Sequence, residues 1–506
     1  MDSLPDSNKT TGEVLVQSPG KVVPPWIKPP DQPSKEPESS QTGPESVPSA
    51  PQETSPPKMV KKSPFSKLTP LIILLVLGVG FFFLITKVIL PLVQKTKEGK
   101  SAESIEGEKI TLTYWGLWES EEVMKSLITE YQKTNSNVTI NYSQQSYQDY
   151  RERLQSALAR DEGPDIFRFH NTWLAMLKKE IAPAPLEIAQ TIKLEEDYYP
   201  VVSEDLKVSS QIFGVPLGFD GLALFYNTEI LREAGKTYPA TWDEFQRTAQ
   251  DLCVADAPDK NCSPGTRIVT AGAALGTATN VDHFSDILGL MMLQNGVDLA
   301  KPSGILAEDA LKFYTFFVTV NHVWDETLPS SVYAFATGKV AMIFAPSWRA
   351  YEISQINPEL DFKTAPVPQL PGTQISWASY WTEGVSSESK NIQAAWEFLI
   401  YLSSKETLTK LYAQASQLRD FGVPYARKDL ASQLEDDPFV GAFVKQAPYA
   451  KSWYLCSQTH DNGINDKIIK YFEDAVNKVL EGESAASALI DTAQGVAQVL
   501  SQYGIK

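Results

Sequence analysis

Cysteine is nearly missing from this sequence: Cys253, Cys262 and Cys456 are the only three in 506 residues. Three thiols exclude a disulfide-built scaffold, and none lies close to another with zinc-finger spacing. Cys253 and Cys262 flank the polar loop DLCVADAPDKNCSPG, where they either pair in an oxidising compartment or stay as buried or free thiols. No cysteine precedes Cys253, so a lipid anchor on a cysteine at a membrane exit is excluded. Positive charge is also scarce. With 45 basic and 62 acidic residues the net charge is -17, which argues against a nucleic-acid partner, since that would require a clustered basic surface. The four histidines (170, 283, 322 and 460) are scattered, and no HExxH, GxSxG or Walker A pattern occurs. No cofactor or metal is implied.

One long apolar run is present. LIILLVLGVGFFFLITKVILPLV, residues 71–93, holds a single charge, Lys87, and at about 1.5 Å per residue can cross a hydrocarbon core. Some seventy residues precede it, too many for a cleaved signal, so a non-cleaved anchor spanning 69–93 is expected. Lys58, Lys61, Lys62 and Lys67 before the run favour a single-pass segment in the cytoplasmic membrane with its N-terminus inside, although Lys95, Lys97 and Lys100 follow it. Residues 1–68 hold 14 of the 34 prolines and scarcely any large apolar side chain, the composition of a disordered cytoplasmic tail. A charged linker over 94–108 leads to the outer domain.

That domain starts as β-α-β-α-β. ITLTYW (110–115), VTINY (138–142) and DIFRF (165–169) alternate or run apolar like strands. Between them, SEEVMKSLITEYQK places Val123, Leu127, Ile128 and Tyr131 on one helical stripe with Ser120 as its cap, and YQDYRERLQSALAR reads as a second helix. The alternation predicts a parallel sheet with ligands outside the carboxyl ends of its strands. Further on, GVPLGFDGLALFYN breaks an apolar run with glycines, TWDEF carries a capping box, and KVAMIFAPSWR is a strand leading to an exposed Trp-Arg pair. ASYWTEGV is strand-like, NIQAAWEFLIYL has one apolar face, and 464–480 and 484–500 read as closing helices split by Gly482.

Taken in order, YWGLWES, GPDIF, GVPLGFDGLALFYN, TWDEF, GKVAMIFAPSW and NIQAAWEFLIYL resemble the landmarks of the extracellular solute-binding proteins of ABC importers, in their sugar-binding, maltodextrin-binding-like branch. The resemblance covers about residues 109–506. It implies a two-lobe α/β fold of the periplasmic-binding-protein type II class, with lobe 1 from 109–219 and 383–425 and lobe 2 from 220–382 and 426–506. It also implies a monomer that captures a mono- or oligosaccharide outside the cell and delivers it to ABC permease subunits. The spanning anchor departs from the family's usual lipoprotein or free form.

Sugars offer apolar C–H faces and rings of hydroxyls, so such a site combines aromatic platforms with planar polar groups. On this reading Trp115, Trp118, Trp173, Trp348 and Trp381 are the platforms, and Glu119, His170, Asn171, Asp220 and Arg349 supply hydrogen bonds. Asp165 belongs to the Gly-Pro-Asp turn as a structural bond-maker, and Tyr226 and Asn227 are candidates for the hinge side or for packing. NVDHFSD around His283 is read as a polar helix start rather than a cation site. Two other functions fit the same residues. A surface glycoside hydrolase would draw a carboxylate pair from Glu119, Asp220 and Glu383, and a ligand sensor would signal through the Pro-rich tail.

Overall fold

β1 (Ile110–Gly116) buries Leu112 and Tyr114 on one face, as its alternation requires. α1 (Glu121–Thr134) follows, capped by Ser120, whose hydroxyl accepts from the Val123 amide, with Val123, Leu127, Ile128 and Tyr131 inward. β2 (Val138–Gln144) pairs in parallel with β1 over the full length of both strands. α2 (Tyr150–Leu158) begins three residues later than the sequence pattern predicts, because Asp149 turns left-handed (φ 51°) and offers no side-chain cap. β3 (Ile166–His170), every residue buried, lies on the other side of β1 and parallel to it. The computed structural model describes residues 108–418 and 421–505. The Pro-rich tail, the apolar run 71–93 and nearly all of the linker lie outside the described residues. Among the described residues no helix is long and apolar enough to cross a membrane.

After β4 (Ile181–Ala182) and α3 (Pro200–Leu206) the chain passes into a second half built on β5 (Ala223–Asn227). α4 (Trp242–Leu252) opens on the expected capping box: Thr241 Oγ1 accepts from the Glu244 amide, and the Glu244 carboxylate accepts from the Thr241 amide. α5 (Phe284–Gln294) is buried almost all round, and α6 (Ile305–Thr319) packs against it. β6 (Met342–Ala345), α7 (Trp348–Ile356) and β7 (Phe362–Ala365) complete a three-stranded sheet in which β5 is central and antiparallel to both neighbours.

β8 (Trp381–Ser386) then returns to the first sheet, which has the order β2-β1-β3-β8-β4, and inserts antiparallel between β3 and β4. α8 (Ile392–Leu402) and α9 (Lys405–Ser416) pack on α1. α10 (Ile464–Leu480) and α11 (Ala485–Gln502), split at Gly482 (φ 98°), pack on each other and on α6 in the second half.

The halves are joined by segments that run side by side. Val215 pairs with Glu383 and Gly221 with Ala378, the Phe219 amide donates to the Pro424 carbonyl at 2.7 Å, and the Ala378 amide to Lys451 at 2.8 Å. The approach at Gly221 is so close that a Cβ there would lie 1.8 Å from the Trp377 carbonyl oxygen, which only glycine avoids.

Candidate functional site

The ends of β1, β2 and β3 point at one cavity of about 520 Å³, the size of a small-molecule site. Trp118 and Glu119 follow β1, Tyr147 follows β2, and Arg168 and His170 lie on β3, with Trp381 beside His170 at the start of β8. Facing them from the second half are Ser347, Trp348 and Arg349 after β6, His283 and Asp286 at the start of α5, and Glu352 on α7. The crossing residues 217–222 and 379–381 form the base. A loop over 457–460 lines the cavity as well.

Large aromatics usually bury their rings, yet Trp118 (40% exposed), Tyr147 (44%) and Trp348 (41%) stay open here. Trp118 meets Trp381 edge to face at 5.6 Å and Tyr147 at 5.9 Å, and His460 continues the row 5.4 Å from Tyr147. On the opposite wall the Arg349 guanidinium lies 4.1 Å over the Trp348 ring. The Trp-Arg pair expected to be exposed is therefore split: Trp348 is open, while Arg349 is buried by that stacking and by its ion pair with Glu352.

The charges satisfy one another. Arg168 donates Nε to Glu383 at 2.8 Å and also pairs with Glu119, and the Tyr114 hydroxyl donates to Glu383 at 2.7 Å. Burial raises the Glu383 pKa, and the Arg168 guanidinium, which it shares with Glu119, lowers it without offsetting that rise. Asp220 accepts from the Ser347 amide (2.9 Å) and hydroxyl (2.7 Å) and from the Gly221 amide, tying the turn after β6 to a crossing segment. Burial lifts Asp286 to about 6, where it accepts from Trp377 Nε1 and from the Ser457 amide.

His170 and His283 are neutral. Burial takes His170 down to about 3; its ring nitrogens bond Thr172 Oγ1 (2.8 Å) and Ser379 Oγ (3.1 Å). His283 is lowered well below its ordinary value by burial and then by Arg349. Arg349 donates Nε to His283 Nε2 at 3.1 Å, so Nδ1 carries the proton and donates to Ser457 Oγ at 2.8 Å. A neutral imidazole makes no ion pair with Asp286, 4.0 Å away.

Of the residues proposed from sequence, Trp118, Glu119, His170, Asp220, Trp348, Arg349 and Trp381 come together in this cavity. Three do not. Trp115 points to the face of β1 opposite Tyr114 and packs half-buried on the core. Asn171 faces the base, where its amide nitrogen donates to Asp205 at 2.9 Å and its oxygen accepts from the Tyr380 amide. Trp173 is fully buried, 5.1 Å behind Trp381, and supports the wall without lining it. Tyr226 lies against Tyr238 and Asn227 caps the following helix, both away from the cavity. Asp165 is structural, but its bonds cross to Thr113 and Ser389 rather than to its own turn. Glu383 is wholly buried and does not line the cavity.

Sequence reasoning missed Tyr147, Arg168, His283, Asp286, Glu352 and the 457–460 loop. Tyr147 had a signal, since it follows the second strand as Trp118 follows the first. Three of the four histidines, scattered along the chain, meet at this one cavity. Asp282, beside His283, accepts from the Ser331 hydroxyl and the Val332 amide. Among the described residues no cluster of His, Cys, Asp or Glu is arranged to hold a metal. Cys253 and Cys262 are joined by a disulfide, and Cys456 is free and buried.

Residues 118–408 match the family model described as bacterial extracellular solute-binding protein. The chain is 21% identical over 347 residues to the multiple sugar-binding protein of Streptococcus mutans, a match covering 65% of this chain and 78% of that protein. It is 20% identical over 347 residues to the maltotriose-binding protein of Pyrococcus abyssi, covering 65% and 69%. The sugar-binding protein MalE from Xanthomonas citri superposes with a TM-score of 0.63 at 21% identity, over 78% of this chain and 98% of that one. At such identity the last likeness is one of fold.

Proposed function

The chain belongs to the bacterial extracellular solute-binding protein family, and from that premise we propose that it captures a carbohydrate in the cavity between its halves and delivers it to an ABC permease. The observation that carries this reading is the set of open rings on facing walls, Trp118 and Tyr147 on one and Trp348 on the other, among hydrogen-bonding side chains whose arginines are already paired. Flat apolar surface meets sugar C–H faces, and neighbouring donors and acceptors meet hydroxyls. Relatives named for sugars and for maltotriose lend the same support.

Binding without turnover is favoured because the carboxylates a hydrolase would recruit are committed: Glu383 to Arg168 and Tyr114, Asp220 to Ser347 and Gly221. We further place the binding domain outside the cell as a monomer, tethered by residues 71–93 with the tail inside. The Cys253–Cys262 bond fits an oxidising compartment.

The full chain, purified without glycosidic detergent, is titrated with a panel of mono- and oligosaccharides while its melting point is followed. A ligand at a hundredfold its Kd should stabilise the fold by about 2.7 kcal/mol. A panel that leaves the melting point unchanged rejects the carbohydrate reading, and product formation from any member favours the hydrolase.

A further inference from the structure

The loop that leads into α10 is built against local preference. Gln458, His460 and Asn462 have φ of 61°, 48° and 43°, three of the nine non-glycine residues with positive φ among the described residues. Left-handed backbone at a non-glycine residue carries a cost, smaller for Asn and His than for Gln, and a run of such residues persists where the surroundings impose it, ligand sites among them.

Here the restraints are explicit. Asp461, fully buried, accepts from the Gly463 amide at 2.8 Å and the Asp466 amide at 3.2 Å through one oxygen, and from the Asn465 amide and side chain through the other. Arg151 of α2 donates to the Asp461 carbonyl, and Asn465 donates to Thr172 at 2.7 Å. At the other end Ser457 is bonded to Asp286 and His283 of the second half. The loop is thus fastened to both walls.

Its middle faces the ligand cavity with one bond unmade. Thr459 lines the cavity and is 3% exposed, and its hydroxyl has no hydrogen-bond partner among the described residues. A buried hydroxyl left without a partner is destabilising, whereas the half-buried Ser457 and the fully buried Asp461 beside it are satisfied. Gln458 and His460, on either side, are exposed, and His460 extends the Trp118–Tyr147 row.

We propose that this loop is the specificity-determining element of the cavity, with the Thr459 hydroxyl bonding a hydroxyl of a neutral saccharide whose ring lies against Tyr147 and His460. The inference rests on the carbohydrate reading of the cavity. The strain is what presents Thr459 inward between two outward side chains, and the unmade bond is the one the ligand completes.

Thr459→Val, which replaces the hydroxyl by a methyl of like shape, and Thr459→Ser, which keeps it, are compared with the wild-type full chain. Each is measured for its ligand-free melting point and by calorimetry with maltotriose, mannobiose and tagatose. The expected result is an unchanged or raised ligand-free melting point for Thr459→Val, with affinity for the bound saccharide reduced by roughly fivefold to a hundredfold and restored in Thr459→Ser. A lowered ligand-free melting point in Thr459→Val means the hydroxyl is structural and overturns the inference. So does unaltered saccharide affinity, as expected if an ordered water satisfies Thr459. In both cases the carbohydrate reading stands. A wild-type chain that binds none of the three overturns that reading for these sugars, and the inference with it.

Discussion

Arg168 is the cation at the centre of the first wall, and its two carboxylates differ in kind: Glu119 lines the cavity, while Glu383 is sealed in the sheet. Arg168→Met would leave Glu383 with only the Tyr114 hydroxyl as a donor, and stranding one member of a buried ion pair costs about 3–5 kcal/mol. The cost depends on pH. Burial already holds the Glu383 pKa above its ordinary value, and losing the guanidinium raises it further. A carboxyl with a higher pKa folded than unfolded binds more protons folded, so its contribution to stability falls as pH rises between the two values. Urea unfolding of the variant should therefore show the full loss at neutral pH and a smaller one as pH falls toward about 4.3, the unfolded glutamate value. A loss independent of pH would mean that Glu383 stays ionised throughout. This network also marks how far single residues are legible. Glu383 reads in sequence as a catalytic candidate, because strand alternation does not say which face of β8 meets the sheet interior. Trp115 lies off the cavity for a like reason on β1: its neighbour Tyr114 takes the inward face. Trp118 and Trp348 lie past strand ends and reach the cavity, whereas Trp173, also past a strand end, is buried behind Trp381, so position after a strand does not by itself fix exposure.

Elements were more legible than residues wherever a local signal set them. The Thr241–Glu244 box, the Ser120 cap and the parallel β1-β2 crossover all follow from neighbours in sequence. The insertion of β8 between β3 and β4 does not, since its partners lie some two hundred residues away and no local pattern names them. The disulfide was equally open, because two thiols flanking a polar loop do not reveal whether their backbones meet. In the structure the Ala255 amide donates to the Lys260 carbonyl and the Lys260 amide to the Ala257 carbonyl, each at 2.9 Å, and across this turned-back segment Cys253 and Cys262 have a Cα separation of 5.9 Å. Closing a loop of sequence separation 9 restricts the unfolded chain by about 3 kcal/mol at most. The double variant Cys253→Ser/Cys262→Ser should accordingly melt a few degrees lower. Its saccharide affinity should not change, because neither cysteine lines the cavity. A calorimetric Kd that moves with the disulfide would show that the hairpin is coupled to the site.

At the scale of the whole molecule, the excess of acid over base is repeated inside the cavity. Glu119, Asp220, Asp286 and Glu352 line it, and the arginines among its lining, Arg168 and Arg349, are already paired with carboxylates. His170 and His283 contribute no positive charge near neutral pH, because burial keeps both rings neutral. A ligand carboxylate entering this space would find no free guanidinium on either wall and, were the halves to close over it, would lose its hydration. Closure follows ligand only to the extent that the closed state binds it better, so a group repelled in the closed cavity weakens closure along with affinity. A neutral oligosaccharide and its uronic-acid analogue of equal length therefore separate these effects. The acidic analogue should bind roughly tenfold or more weakly, as expected for an unpaired charge a few ångströms from a carboxylate at an effective dielectric near 20. The difference should narrow as salt rises, because the cavity opens to solvent at Trp118 and Trp348. Small-angle scattering should show the neutral sugar compacting the protein more than the acid does. Equal or tighter binding of the acid would mean that an arginine leaves its carboxylate when ligand binds, and Arg349, held by the half-exposed Glu352, is the one placed to do so.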